Sequence, residues 1–460
     1  MKTPREYTRP AGATRSPMAA LVLALALGGC ANTGTAPVRE TTTEAAPAAA
    51  PCPKGGPDGA RCWRGVDSAG APYILALPAE WNRVLVVHAH GGPALGANPD
   101  PKRADADYDR WSITVKAGYA WAASVFRQGG VEVRAAAEDT ERVRRIFVAH
   151  VAQPRRTLLH GQSWGAGVAA KLAEMDTARG GKPRYDGVLL TSGVLGGGTR
   201  SYDFRLDLRV VYQALCGNHP KPDEPAYPLW MGLPAASTLS RAELAARVDD
   251  CLGTAHPAAQ RSPAQSERLK TLARVVRIPE GSVVAHLNWA TWHFQDIALH
   301  RSGGKPVFGN ERARYVGSAD DAALNAQVLR YRADPEAVRR FGADTDPDGK
   351  IAVPVLTAHA IDDPTAFVEL ESAFRTTMQR AGTADHLVQA FTHDKVHSYL
   401  SDPVYPTLFE ALVRWVDDGV KPTPAGIAAR CEALVAQYGP GCRFDPGYQP
   451  PPLDARITPR

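Results

Sequence analysis

The run RTLLHGQSWGAGVAAKLAEM, residues 156 to 175, joins two different periodicities. Its first part, Arg156 to Gly161, is apolar and of strand length; from Gly165 onward it is alanine-rich with apolar residues at helical spacing. Gln162, Ser163 and Trp164 lie between, leaving only a tight turn in which to pass from strand to helix. Gly161 and Gly165 flank that turn, giving the pattern G-x-S-x-G in a strand-turn-helix setting. There the serine takes a strained backbone conformation and its Oγ projects from the carboxyl edge of a sheet, where the N-terminal amides of the helix favour developing negative charge. Such a serine needs a base, an orienting acid and an oxyanion site from elsewhere in the chain.

Working outward, short apolar runs rich in β-branched residues alternate with amphipathic stretches, the pattern of a mostly parallel α/β sheet with helices on both faces. Strands are predicted at 71–77, 83–90, 119–126, 156–161, 187–192, 354–359 and 386–391, and helices at 138–150, 165–178, 365–380 and 404–418. The rhythm breaks between 196 and 350, a stretch rich in Pro, Trp and Arg that contains SRAELAARVDDCL. A structureless loop of that length inside a compact domain is implausible, so it reads as an inserted, largely helical cap.

The remaining parts of the mechanism occur in chain order. PVLTAHAIDDPTAF puts Asp362 and Asp363 just beyond a late strand, and FTHDKVHSYL puts His393 and His397 just beyond the next. Asp363 is preferred because Asp363-Pro364, with His359 upstream, matches an HGxxDP-type turn; His397 is preferred because it lies deeper in its loop, immediately before the final long helix. The oxyanion would be held by backbone N–H groups of Trp164 and of Gly91 or Gly92, the latter in VVHAHGGPALG at the end of an early strand. His88, His90 and His160 sit at strand ends and read as local hydrogen-bond partners, with His90 also a candidate substrate contact.

With these motifs in hand, the chain resembles an α/β-hydrolase over residues 71 to 192 and 353 to 420, with the cap where that fold usually carries one. The pair HGGP and GQSWG is similar to motifs of prolyl-iminopeptidase-like hydrolases, although Ala94 stands after the proline where HGGPG would have its last glycine. The resemblance implies a serine hydrolase without cofactor or metal, acting on a small-molecule ester or peptide. Carboxylic ester hydrolysis through an acyl-enzyme is the leading expectation. The alternative is an aminopeptidase on the same machinery, which would need cap carboxylates such as Glu224 or Asp296 in the cleft; a non-catalytic surface binding lipoprotein is a third reading. HLNWATWHFQD (286–296) places Trp289, Trp292 and His293 together, with Tyr227 and Trp230 earlier in the cap; they read first as a small cap core and second as an aromatic substrate-facing wall. Arg127, in SVFRQGG, is expected to pair with a neighbour such as Glu132.

The ends bound the setting. Lys2, Arg5, Arg9 and Arg15 precede the apolar run MAALVLALALGG, which is too short and wrongly flanked to span a membrane and reads as a secretory signal. Leu27-Gly28-Gly29-Cys30 resembles a bacterial lipobox, so Cys30 is expected to carry lipid and attach an exported protein to a membrane of the cell envelope. With those four basic residues and Glu6 removed, the formal charge of +5 falls to +2, and nothing points to nucleic acid. Six further cysteines in an exported chain predict disulfides between nearest neighbours: Cys52 with Cys62, Cys216 with Cys251, Cys431 with Cys442. The expected organisation is thus a lipoprotein signal peptide (1–30), a disordered linker (31–51), a first core part (52–195), the cap (196–350), a second core part (351–422) and a disulfide-pinned C-terminal segment (423–460).

Overall fold

The computed structural model describes residues 41–96 and 100–460. The signal segment, its Cys30 and the first part of the linker lie outside the described residues. Nine strands form one sheet in the order β1-β2-β3-β5-β4-β6-β7-β8-β9, where β1 is Ala48–Ala50, β2 Arg61–Val66, β3 Pro72–Leu77, β4 Val84–Ala89, β5 Ala120–Ser124, β6 Arg156–Gln162, β7 Gly187–Thr191, β8 Val355–Ala360 and β9 Leu387–Thr392. The pairs from β1 to β3, and β3 with β5, are antiparallel; every pair from β5 to β9 is parallel. This order, with its reversal at β4 and β5, is the α/β-hydrolase fold.

Strands β4, β7 and β8 are buried along their whole length, which is why they read as continuous apolar runs rather than alternating ones. One sheet face packs on helices α2 (Val133–Ile146) and α3 (Trp164–Arg179) and on the helix Glu369–Ala381, through Val143, Ile146, Leu172 and Phe374. The other packs on α1 (Lys102–Lys116) and the helices Val404–Asp418 and Pro424–Tyr438, through Trp111, Leu408, Leu412 and Ile427. Between β7 and β8 the chain runs through helices including Phe204–Cys216, Arg241–Leu252 and Pro263–Val276. Their apolar faces, among them Leu206, Val210, Leu244 and Leu272, continue the first of these cores without a break.

Several expectations need correction. The last part of the segment expected to be a disordered linker is ordered: Ala48–Ala50 pairs with β2, and Glu44 is buried and accepts hydrogen bonds from the backbone N and Oγ of Ser68. Strand β2, RCWRGV, was not legible because it lies near the antiparallel edge and only partly buries its residues. Helix α1 was missed because KRADADYDRWSITVK is mostly polar, although Tyr108, Trp111, Ile113 and Val115 are buried. Arg127 pairs with Glu138 at 2.6 Å and Asp139 at 3.1 Å, because α2 begins at Val133 and its second turn comes round to the end of β5; Glu132 pairs instead with Arg301.

Cysteines 52 and 62, 216 and 251, and 431 and 442 are joined as disulfides. Among the described residues no helix is long and apolar enough to cross a membrane.

The turn at Ser163 depends on close approach of backbones. A Cβ at Gly165 would fall inside contact distance of the carbonyls of Ala89 and His90, neither of which is a flexible side-chain end that could yield. Gly165→Ala is therefore expected to cost about 1–3 kcal/mol through overpacking. Chemical denaturation should show a lower midpoint at unchanged slope; an unchanged midpoint would refute this account of the turn.

Candidate active site

Ser163 lies between β6 and α3 with φ 56° and ψ −122°, a left-handed conformation that a non-glycine residue adopts only under constraint. The constraint is visible. Its N–H donates to Thr191 O on β7 (2.9 Å), and its carbonyl accepts from Ala166 N (3.1 Å) and Val194 N (3.0 Å). Backbone on both sides of the serine is thus fixed, and its Oγ is left for side-chain chemistry.

That Oγ lies 2.7 Å from His397 Nε2, and His397 Nδ1 lies 2.7 Å from Asp363 Oδ2. For the serine to donate to Nε2, the imidazole proton must reside on Nδ1, where Asp363 accepts it. His397 comes from the loop after β9, and its position is supported from below. Tyr405, buried in the helix Val404–Asp418, accepts from Leu400 N (3.0 Å) and donates to Ser398 O (3.2 Å). The C-terminal segment braces the same loop: His393 N donates to Arg443 O (2.8 Å), Ser401 Oγ donates to Gly441 O (2.8 Å), and Arg443 pairs with Asp394.

Asp363 is held as an acceptor on every side. Its Oδ1 takes the backbone N–H groups of Thr365 (2.8 Å) and Ala366 (3.0 Å). Below it, fully buried His359 presents Nε2 to Ala366 O (2.8 Å) and Asp363 Oδ2 (3.5 Å), and Nδ1 to Glu371 Oε1 (3.1 Å). Acceptors at both ring nitrogens make this an imidazolium. Burial opposes the charge, but the two carboxylates outweigh it and raise the His359 pKa to about 10. Asp363 is correspondingly lowered to about 2, its burial overcome by His359 and His397. Sequence reasoning gave His359 only the start of the turn; its charge required Glu371, which comes from the helix Glu369–Ala381.

Of the rejected alternatives, Asp362 makes no side-chain hydrogen bond among the described residues, and His393 is exposed and pairs with Asp445 at 3.1 Å. His88 and His160 bond to each other in the sheet (3.0 Å), and burial lowers the pKa of both.

Ser163 and His397 open on a cavity of about 300 Å³ whose wall includes Gly91, Gly92, Trp164 and Trp289. The N–H groups of Gly91, Gly92 and Trp164 carry no hydrogen-bond partner among the described residues. The other aromatic candidates lie elsewhere. Trp289 to His293 is a π-helical turn, in which Trp289 and His293 stack with their ring centres 4.6 Å apart. Trp292 turns away onto Arg241, and His293 Nε2 contacts Pro93 O (3.2 Å). His90 stacks on Phe126 and borders a neighbouring depression with Ala94 and Arg103, so it is off the wall of the serine's cavity. Among the described residues no Asp or Glu lines that cavity: Glu224 is held by Arg247, and Asp296 by Arg301.

No family model matches the chain, and no curated protein is similar to it at a significant level. Among solved structures it is similar to feruloyl esterase B from Aspergillus oryzae (13% identity, 79% of this chain and 81% of that one, TM-score 0.41). It is also similar to the ligand-bound rice cell wall degrading esterase LipA from Xanthomonas oryzae (11% identity, 82% and 89%, TM-score 0.37). A third is an esterase of the bacterial hormone-sensitive lipase family (14% identity, 84% and 86%, TM-score 0.35).

The buried cluster makes a stability prediction. Glu371→Gln removes the countercharge of His359 and is expected to cost about 3 kcal/mol or more, as breaking a buried ion pair does. Because the folded pKa of His359 stands above its ordinary 6.5, its stabilisation is complete below that pH and is lost as pH rises through about 10. Urea midpoints measured from pH 6 to pH 10 should fall for the wild type and fall less for the variant; parallel curves would refute the imidazolium.

Proposed function

We propose that the protein is an exported serine hydrolase that cleaves carboxylic esters through an acyl-enzyme. The observation that carries this is the hydrogen-bonded chain from Ser163 Oγ through His397 to Asp363, at 2.7 Å for each link, opening on a cavity. In this reading His397 Nε2 takes the Ser163 proton as Oγ attacks the ester carbonyl. The tetrahedral oxyanion is held by the N–H of Trp164 and that of Gly91 or Gly92. Protonated His397 then gives its proton to the departing alkoxide, leaving an acyl-serine and a free alcohol. A water molecule, deprotonated by His397 in turn, attacks the acyl-serine and releases the carboxylic acid and the serine hydroxyl.

Each supporting part has a separate job. Asp363 selects the Nδ1–H tautomer and stabilises the imidazolium formed during attack; the strained turn at Ser163 sets the angle of approach, so that little reorganisation is left to the reacting state. The absence of carboxylates on the described cavity wall disfavours the aminopeptidase reading, since a substrate's ammonium group would meet no countercharge there. Three disulfides support an oxidising compartment, and the sequence of the first thirty residues supports export with lipid attachment at Cys30.

Ser163→Ala is expected to lower kcat on p-nitrophenyl esters by about 10⁴-fold or more, with unchanged thermal unfolding. The wild type should hydrolyse these esters in preference to aminoacyl p-nitroanilides. Turnover retained in the variant would end the assignment, and preference for anilides with a free amino terminus would move the protein to the peptidases.

A further inference from the structure

The wall of the serine's cavity carries a buried cation without a carboxylate. Arg205 is 5% exposed, lies in the helix Phe204–Cys216 and borders the cavity that holds Ser163 and His397. Among the described residues no Asp or Glu comes within ion-pair distance of it, and its one hydrogen bond runs from Nη1 to Ser201 O (3.2 Å). Its Nε is buried without a partner. Asp203, two residues away in sequence, is taken by Arg200 (2.7 Å) and Arg460 (3.2 Å).

Other buried arginines show how this chain normally meets the cost of desolvating a guanidinium. Arg142 pairs with Asp67 (2.7 Å) and Asp139. Arg209, one turn along the same helix, has no carboxylate but donates to Thr291, Tyr227, Gly232 and His219, and so is spent on holding the inserted segment together. Arg205 has neither solution. Three aromatic rings surround it, with its Cζ 4.6 Å from the ring centres of Phe204 and Trp289 and 5.4 Å from that of Tyr202. Cation–π contact offsets part of the lost hydration, yet it gives the N–H groups no acceptor, and Nε stays without a partner. Burial pulls the pKa of Arg205 down to about 10, which still leaves it charged at neutral pH.

The N–H groups left over have a specific arrangement. With Nη1 engaged by Ser201, the free donors are Nε and Nη2, the pair that offers two parallel hydrogen bonds to a planar carboxylate. A second arginine, Arg110, borders the same cavity from its exposed rim, and no acidic side chain on the described wall competes for either. We propose that Arg205 is a substrate-recognition residue that binds an ionised carboxyl group, so that the preferred substrates are esters carrying a carboxylate besides the scissile ester bond. This rests on the acyl-transfer reading of Ser163, and it adds the chemical class of the substrate.

The test compares matched pairs of esters with the full exported chain. On the acyl side, p-nitrophenyl hydrogen glutarate is set against p-nitrophenyl methyl glutarate; on the alcohol side, 4-acetoxybenzoate against its methyl ester. The ratio of kcat/KM, charged over neutral, is the readout, because a general loss of activity cancels from it. The wild type should favour the charged member of one pair by about tenfold or more, and Arg205→Gln should bring that ratio down by a similar factor, as the loss of a charge-assisted hydrogen bond does. Arg205→Lys should fall between. A wild-type ratio near or below one in both pairs, or a ratio that Arg205→Gln leaves intact, overturns the proposal. Should the variant not fold, competition in the wild type decides: benzoate must inhibit neutral-ester turnover more strongly than benzamide, and equal inhibition overturns it. Should no ester of either kind be turned over, the esterase reading fails by itself, and calorimetric binding of benzoate to the wild-type chain judges Arg205 alone: binding upholds carboxylate recognition and its absence overturns it.

Discussion

The left-handed backbone of Ser163 is the constraint on which the site depends. A residue at φ 56° is held there only if its neighbours leave it no easier choice, and here β7 takes its N–H while Ala166 and Val194 take its carbonyl. That conformation lets one serine sit at the edge of a buried sheet with its hydroxyl free. It also begins α3 at Trp164, so the amides of a helix N-terminus and Ser163 Oγ share one small volume. The close backbone approach at Gly165 is a condition of the same geometry. Core packing on both faces of the sheet supplies the energy that makes the strain affordable.

A second constraint operates beneath the acid. Asp363 has the His359 imidazolium on one side and His397 on the other, and His359 is charged only because Glu371 lies behind it. The five side chains from Ser163 to Glu371 therefore form one polar column running from the cavity into the core. Such a column is stable only when every member is satisfied, because a buried polar group left unpaired costs its full desolvation. The loop of His397 has its own supports, Tyr405 within the core and the C-terminal segment outside it. A C-terminal segment pinned by Cys431–Cys442 thereby bears on the placement of His397.

Much of this architecture was legible in the sequence because the parallel strands are buried on both faces and so read as apolar runs, and because the order of Ser163, Asp363 and His397 follows the order of the strands that carry them. Where the reading failed, the local signal was weak or the partner was distant. β2 has little apolar alternation, and α1 presents a mostly polar sequence in which even buried positions such as Asp107, Ser112 and Thr114 are polar. His90, Trp292 and His293 stood near the right motifs, yet which way each side chain turned depended on Phe126, Arg241 and Pro93 from other elements. Arg205 carried no signal at all. An arginine in FRLDLRVV is ordinary until the fold shows that, among the described residues, no carboxylate meets it.

The central claim is that Ser163 is a nucleophile activated by His397. Its most direct measurement is the mass of the intact protein after treatment with a fluorophosphonate, followed by peptide mapping. The account requires one adduct per chain, located on Ser163, and strongly slowed labelling in His397→Ala that retains the wild-type fold. Absence of an adduct, an adduct on another residue, or equal labelling without His397 would contradict it.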